Sequence, residues 1–350
     1  MASAAPEARK IEVLQAGRAV AALAVVLLHA QVATEAFVGA LPAWLKATAG
    51  QGYLGVDFFF VLSGFIIFYT NHGKTGRPGW RSRFARSRFV RIFVPYLPVG
   101  IAMALLYTFL PQLSAATLEW SWLSTLTLIP TGTSPALTVA WTLQHELVFY
   151  ALALLFLRLR RPLLLAAGWA AAILAWQLFG TPLEPPPTSS VAAVLLHPIN
   201  LEFLFGMLAA WAVIQGRLDR PLAMCALGAL FLAAFLAVGA PKAYSVLFGL
   251  GLAFFIPVLV RMEQSGRLRV AGWLLVLGEA SYALYLIHNP LISTTSRAVA
   301  AVAPHWLAGM ATAVIASVAA SLAYYFVYER PARRRVAALL APRPALATAT

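Results

Sequence analysis

Apolar residues fall in long blocks along this chain, and polar residues gather between the blocks. A helix rises about 1.5 Å per residue, so about 20 apolar residues cross the roughly 30 Å hydrocarbon core of a bilayer. Ten blocks come close to that length, at roughly 11–32, 53–71, 92–110, 137–157, 162–179, 191–214, 221–238, 244–260, 271–290 and 306–328. The pattern predicts an all-α integral membrane protein of about ten transmembrane helices in one bundle. The stretch 111–136 (PQLSAATLEWSWLSTLTLIPTGTSPA) is apolar but short and punctuated by Pro and Gly, which predicts a re-entrant or interfacial segment on the outer face. The domain plan read from this pattern is a polar tail at 1–10, one membrane domain at 11–335 and a disordered tail at 336–350.

Composition agrees with a lipid environment. The 350 residues are 61% hydrophobic and 11% charged, with a mean hydropathy of +0.80. Soluble domains are nearer a quarter charged. The opening MASAAPEARK is too polar for a cleaved signal peptide, so the first apolar run is expected to stay as an anchor. A lone cysteine, Cys225, excludes a disulfide framework within the chain. The net charge of +14 would suggest nucleic acid in a soluble protein, but its distribution argues against that partner. Of the 26 Lys and Arg residues, 23 fall on alternate connectors and the two ends, leaving only Lys46, Lys242 and Arg297 for the other side. The positive-inside rule then places both termini in the cytoplasm, the parity that ten crossings require.

An ionisable group inside a span costs about 2.5–3.5 kcal/mol on insertion scales and so calls for a reason. The first run holds two, in RAVAALAVVLLH (18–29). Arg18 and His29 are about three helical turns apart, on one face, with roughly 16 Å between them along the axis. Later runs add Asp57, His145 and Glu146, His197 and Glu202, and Glu279 and His288. On the expected topology most of these reach one level in the middle to outer half of the membrane, which predicts a buried pocket there. Structural roles are the alternative: a capping Asp57, a helix-pairing Glu146, and His197 and His288 bonded to carbonyls or headgroups. The basic stretch RSRFARSRFVR (81–91) has two readings as well. It fixes topology and touches anionic lipid, or the R-x-x-R pair Arg88 and Arg91 binds a phosphorylated cytoplasmic ligand. No P-loop, H-E-x-x-H, Cys/His pairing or G-x-S-x-G elbow is present, so neither a nucleotide-driven ATPase nor a metal site is expected.

Six motifs occur in order: LQAGRAVAALAVVLLH (14–29), GVDFFFVLSGFII (55–67), RFVRIFVPY (88–96), WTLQHELVFY (141–150), EFLFGM (202–207) and GEASYALYLIH (278–288). With them the chain resembles the integral-membrane acyltransferase family 3, whose members O-acylate sugars and other hydroxyl acceptors. The resemblance spans about residues 11 to 335. It implies that His29 is catalytic, that Arg18 of the R-x10-H pair is essential, and that Arg88 and Arg91 serve the acyl-CoA donor. Glu146 matches an acidic position of the W-[ST]-L-x-x-E-x-x-F-Y block. One departure is Gly17, where members usually carry Leu, a change expected to loosen local packing. Another is the sequence's end soon after Arg335, so the hydrolase-like domain that many members fuse there is expected to be separate or absent.

The expected activity is acyl transfer, acetyl by default, from cytoplasmic acyl-CoA to a hydroxyl of a surface or exported glycan. His29 would be the general base, with Glu146 or Asp57 orienting its ring, and a covalent acyl-His29 intermediate is the alternative chemistry. Acyl-CoA would act as a co-substrate beside no bound cofactor. The implied setting is the bacterial inner membrane, with the lipid bilayer, a glycan acceptor and polysaccharide biosynthesis machinery as partners. The rival reading is a proton-coupled exporter of a glycan or lipid-linked sugar, with the intramembrane acids and histidines as a proton relay.

Overall fold

The apolar blocks do become helices. A computed structural model describes residues 11–113, 119–157, 162–183, 186, 188–216, 220–240, 245–302 and 304–341. The first eight helices are α1 (Glu12–Phe37), α2 (Ala43–Gly50), α3 (Leu54–Asn71), α4 (Trp80–Phe109), α5 (Trp122–Thr127), α6 (Trp141–Phe156), α7 (Pro162–Phe179) and α8 (Val191–Leu196). Then come α9 (Asn200–Ile214), α10 (Pro221–Ala237), α11 (Ser245–Gln264), α12 (Gly272–Glu279), α13 (Ser281–Val302), α14 (Trp306–Tyr324) and α15 (Arg330–Leu339). Among the described residues there is no β-strand.

Seven segments are long and apolar enough to cross a membrane: Glu12–Phe37, Ala43–Asn71, Trp80–Phe109, Thr138–Phe156, Pro162–Phe179, Ser245–Gln264 and Trp306–Leu339. The other expected runs differ for local reasons. Run 191–214 breaks at His197, because the residue before Pro198 is pushed out of helical geometry, and α8 and α9 result. Run 271–290 breaks after Glu279, and α13 continues to Val302 through the polar Asn289, Thr294, Thr295 and Arg297. α10 is apolar but only 17 residues long. α4 begins at Trp80, so the basic stretch 81–91 is helix rather than loop. In the 111–136 stretch, α5 and a parallel bridge between Trp120 and Ser134 are formed; residues 114–118 lie outside the described residues. At the C-terminal end α15 stays helical to Leu339, past the expected start of the tail, while 1–10 and 342–350 lie outside the described residues.

α1 forms the spine. It packs on α3, α12, α13 and α14, and its alanines 19, 21, 22 and 30 are buried at those contacts. At its start, the Glu263 carboxylate of α11 accepts from the backbone N–H of Glu12 (2.9 Å) and Val13 (2.7 Å), satisfying donors that a helix N-terminus leaves open. α3 and the turn before it meet α1 through small residues: a Cβ added at Gly52 or Gly55 would lie 2.0 or 2.3 Å from the carbonyl oxygens of Ala24 or Ala21. Asp57, two positions beyond Gly55, falls on the other side of α3, toward Glu202 of α9. The space beside Gly17 is not loose, because the Phe58 ring fills it, 2.3 Å from where a Cβ would stand.

Tyrosines of the neighbouring C-terminal segment bond carbonyls of α4 around its two prolines, one of them a carbonyl that a proline frees. Pro98 lacks the N–H that would serve Val94, and the Tyr328 hydroxyl donates to that carbonyl at 3.2 Å. Tyr324 donates to the Pro95 carbonyl at 2.7 Å. Between α14 and α15, a π-helical turn at Tyr325–Glu329 turns Glu329 inward, fully buried, and lays α15 against α4. Large apolar side chains on the outside, among them Leu164, Leu178, Leu222 and Leu230, are exposed in a way that suits lipid.

Candidate functional site

Three cavities share wall residues in succession, from the Arg18 end of α1 to His29. The first is a basin of about 630 Å³ at the Arg18 end of α1. α4 contributes Arg83, Arg86, Ser87, Val90 and Arg91, spaced so that one helix face points into it. α15 contributes Arg330, Arg333 and Arg334, so with Arg18 seven arginines line the basin. Glu279 is the acid on its wall. Arg333 Nη1 also reaches the Glu329 carboxylate at 3.0 Å. Such a surface attracts a polyanion, and guanidinium groups match phosphate geometry.

Arg18 and Arg91 continue from the basin into a throat of about 70 Å³. Its other walls are Phe59, Phe60, Ser63, Thr142, Glu146 and Tyr285. Arg18 is 8% exposed and its Nε has no hydrogen-bond partner, so the buried cation is held within range of Glu146 and Glu329 rather than by a direct pair. The Tyr150 hydroxyl donates to Glu146, one turn along α6. Tyr285 is fixed by two bonds, donating to the Val139 carbonyl at 3.0 Å and accepting from Thr142 at 2.9 Å.

Val56 and Tyr285 line both the throat and the third cavity, of about 830 Å³. His29, Asp57 and His197 stand on its wall with the aromatic rings of Tyr53, Trp141 and Trp176. His29 Nδ1 lies 2.9 Å from the Val25 carbonyl one turn back, and 3.4 Å from His288 Nε2 on α13. A carbonyl only accepts, so Nδ1 carries the hydrogen and Nε2 is the basic nitrogen of His29. Asp57 is 2% exposed, and it lies close enough to the buried Glu202 for the two carboxyls to interact.

The expected pocket of acids and imidazoles is therefore present for His29, Asp57 and His197, with His288, His145 and Glu202 packed behind it. His145 Nδ1 pairs with the Asn200 side chain at 3.1 Å, and its ring meets that of His197. Glu146 sits elsewhere: it lines the throat with Arg18 and Arg91, while the Val25 carbonyl and His288 Nε2 lie against His29 Nδ1. The two arginines of R-x-x-R also part. Arg91 opens into basin and throat, whereas Arg88 lies over the rings of Phe84 (5.7 Å) and Tyr150 (5.4 Å). The reason is helical phase: Arg88 shares a ridge with Phe84, off the face made by Arg83, Ser87 and Arg91. Sequence reasoning missed Arg83, Arg86 and, on α15, Arg330, Arg333 and Arg334, which had served only as topology signals.

These surroundings suit an enzyme that moves a group from an anionic carrier to an acceptor within the membrane. The matching family settles the class: residues 11–325 fit the family model described as an acyltransferase domain (Acyl_transf_3), and the chain belongs to that family. The protein is an O-acyltransferase. Among curated proteins it is 31% identical over 301 residues to the exopolysaccharide production protein ExoZ of Rhizobium meliloti (strain 1021), an alignment covering 81% of this chain and 90% of that one. It is also 29% identical over 273 residues to the acyltransferase MdmB of Streptomyces mycarofaciens, covering 69% and 68% of the two chains. No solved structure matches the chain.

Proposed function

We propose that this acyltransferase carries an acetyl group from cytoplasmic acetyl-CoA to a hydroxyl of a surface or exported polysaccharide, in the bacterial inner membrane. The observation that carries the reading is the shared walls: Arg18 and Arg91 belong to basin and throat, Val56 and Tyr285 to throat and far cavity. One route thus leads from seven arginines to His29. The basin takes the phosphates of CoA, with Arg91 and the α15 arginines in the part first assigned to Arg88. The pantetheine arm points the thioester into the throat, whose small volume favours a short acyl group. The far cavity takes the acceptor, and its aromatic walls suit the apolar faces of sugar rings. The printed name of the Rhizobium relative, an exopolysaccharide production protein, supports a polysaccharide acceptor. The alternation of basic connectors supports ten crossings, with α9, α10 and the α12–α13 pair completing the seven long ones, and both termini on the basin side.

In this reading His29 Nε2 takes the proton of the acceptor hydroxyl as its oxygen attacks the thioester carbonyl. The new C–O bond replaces the C–S bond, and the proton leaves with the thiolate, so thioester and alcohol become ester and free thiol. Arg18 lies toward the inner mouth, where a cation steadies the anionic donor.

The test is ester content. Mass spectrometry of exported polysaccharide should show acetyl esters with the wild-type protein and lose them with His29→Ala at matched membrane abundance. Unchanged acetylation by that variant would contradict the assignment of His29.

A further inference from the structure

The second histidine of the pair has no task in the reading above. His288 is fully buried on α13, lines neither the throat nor the far cavity, and precedes Asn289 and Pro290. Its Nδ1 lies 2.9 Å from the Leu284 carbonyl, so Nδ1 carries the hydrogen and Nε2 bears a lone pair. That Nε2 lies 3.4 Å from His29 Nδ1, with the rings edge to face, their centroids 4.9 Å apart and their planes at 70°. Each ring is thus locked in one tautomer by a carbonyl of its own helix. The one Nδ1 hydrogen of His29 is shared: it is directed to the Val25 carbonyl at 2.9 Å, with the lone pair of His288 Nε2 beside it at 3.4 Å.

We infer that His288 is a positioning residue for His29. It accepts from Nδ1–H, holds the ring with Nε2 as its basic atom, and stabilises the imidazolium formed when His29 takes the acceptor's proton. The inference rests on the proposed role of His29 as base. A neutral imidazole suits the place better than a carboxylate, because a buried charge would need a partner in the resting state and a neutral acceptor does not. The contact is the longer arm of that shared hydrogen, and protonation of His29 at Nε2 makes its Nδ1–H a cationic and stronger donor to both acceptors. Its packing fixes it further: the Tyr285 ring lies 5.8 Å from the His288 ring, and Tyr285 is itself bonded to Val139 and Thr142. No proton passes to His288. The transferred proton goes from acceptor to His29 Nε2 and on to the CoA thiolate.

The experiment uses the full-length protein in detergent, with acetyl-CoA as donor and de-esterified host exopolysaccharide as acceptor. His288→Phe keeps the ring's bulk and removes the acceptor; His288→Asn, too short to reach Nδ1, is its counterpart should the Phe variant not accumulate. Either should lower kcat about 10- to 100-fold while both KM values stay within about twofold, the loss of one hydrogen bond to a charged group. His288→Gln, whose side-chain oxygen can accept, should recover most of that rate. In a His29→Ala background, His288→Phe should slow the residual reaction no further. Wild-type kcat in the Phe or Asn variant, a Gln variant no faster than Phe, or an added loss in the His29→Ala background would each overturn the inference. A His29→Ala variant at wild-type rate would instead overturn the reading on which it rests.

Discussion

Arg333 and Arg334 are neighbours on α15 that line the same basin, yet they should fail differently when truncated. Arg334 is exposed, so its contribution to donor binding is that of a screened charge near phosphate, about 0.2–1 kcal/mol. Arg334→Ala should therefore raise KM for acetyl-CoA by about 1.5- to 5-fold and leave kcat and thermal stability unchanged. Arg333 does the same for the donor and also holds Glu329, which is 0% exposed against 35% for the arginine. Breaking a fully buried pair from one side costs about 3–5 kcal/mol; with this arginine a third exposed, about 1–3 kcal/mol is the fitting range. Arg333→Ala should thus raise KM similarly and lower the melting temperature of the detergent-solubilised protein. Glu329 Oε2 has no hydrogen-bond partner to fall back on. Initial rates over a KCl series and melting followed by tryptophan fluorescence measure both effects. Added salt should raise the wild-type KM and raise that of Arg334→Ala less. An unchanged KM in Arg334→Ala, or equal melting temperatures for the two variants, would refute the reasoning.

Two further outcomes follow from packing. A Cβ at Gly206 would stand 1.9 Å from the Val61 carbonyl oxygen and 2.7 Å from the Phe65 nitrogen, both backbone. Gly206→Ala should therefore push α3 from α9 and cost upwards of about 3 kcal/mol, read as lost monodisperse protein, while Gly168→Ala, with nothing within 4 Å, should not destabilise. Phe59→Ala widens the throat, and the butyryl-CoA to acetyl-CoA ratio of kcat/KM should rise about tenfold, the value of a methylene or two of apolar fit; an unchanged ratio would remove the throat as the selector of acyl size.

What could be read from the sequence was the part governed by period and length. The face shared by Arg18 and His29, the limits of α7 at 162–179 and the burial of Asp57 and Glu202 needed only helical geometry and the cost of burying charge. The parting of Arg88 from Arg91 was hidden, because a three-residue spacing places both near one face but does not say which ridge meets Tyr150. The move of Glu146 to the throat was hidden for the same reason: depth follows from topology, whereas rotation about the helix axis follows from the neighbours. The α15 arginines were visible as charges but not as a wall, since the π-helical turn that swings them onto α4 leaves no mark in hydropathy. His288 carried the same ambiguity from the other side. Its bond to the Leu284 carbonyl is the structural role expected of a membrane histidine, and only the fold shows what its second nitrogen faces.

The central claim is that one route joins a donor basin to an acceptor at the opposite end of α1. Proteoliposomes with acetyl-CoA on one side only and de-esterified polysaccharide on the other test it most directly, with acetyl-labelled donor and alkali-labile label on the polymer as the readout. Vesicles whose basin side faces the donor should label polymer across the sealed membrane, and His29→Ala vesicles should not. Label appearing only when donor and polymer share a compartment would contradict it.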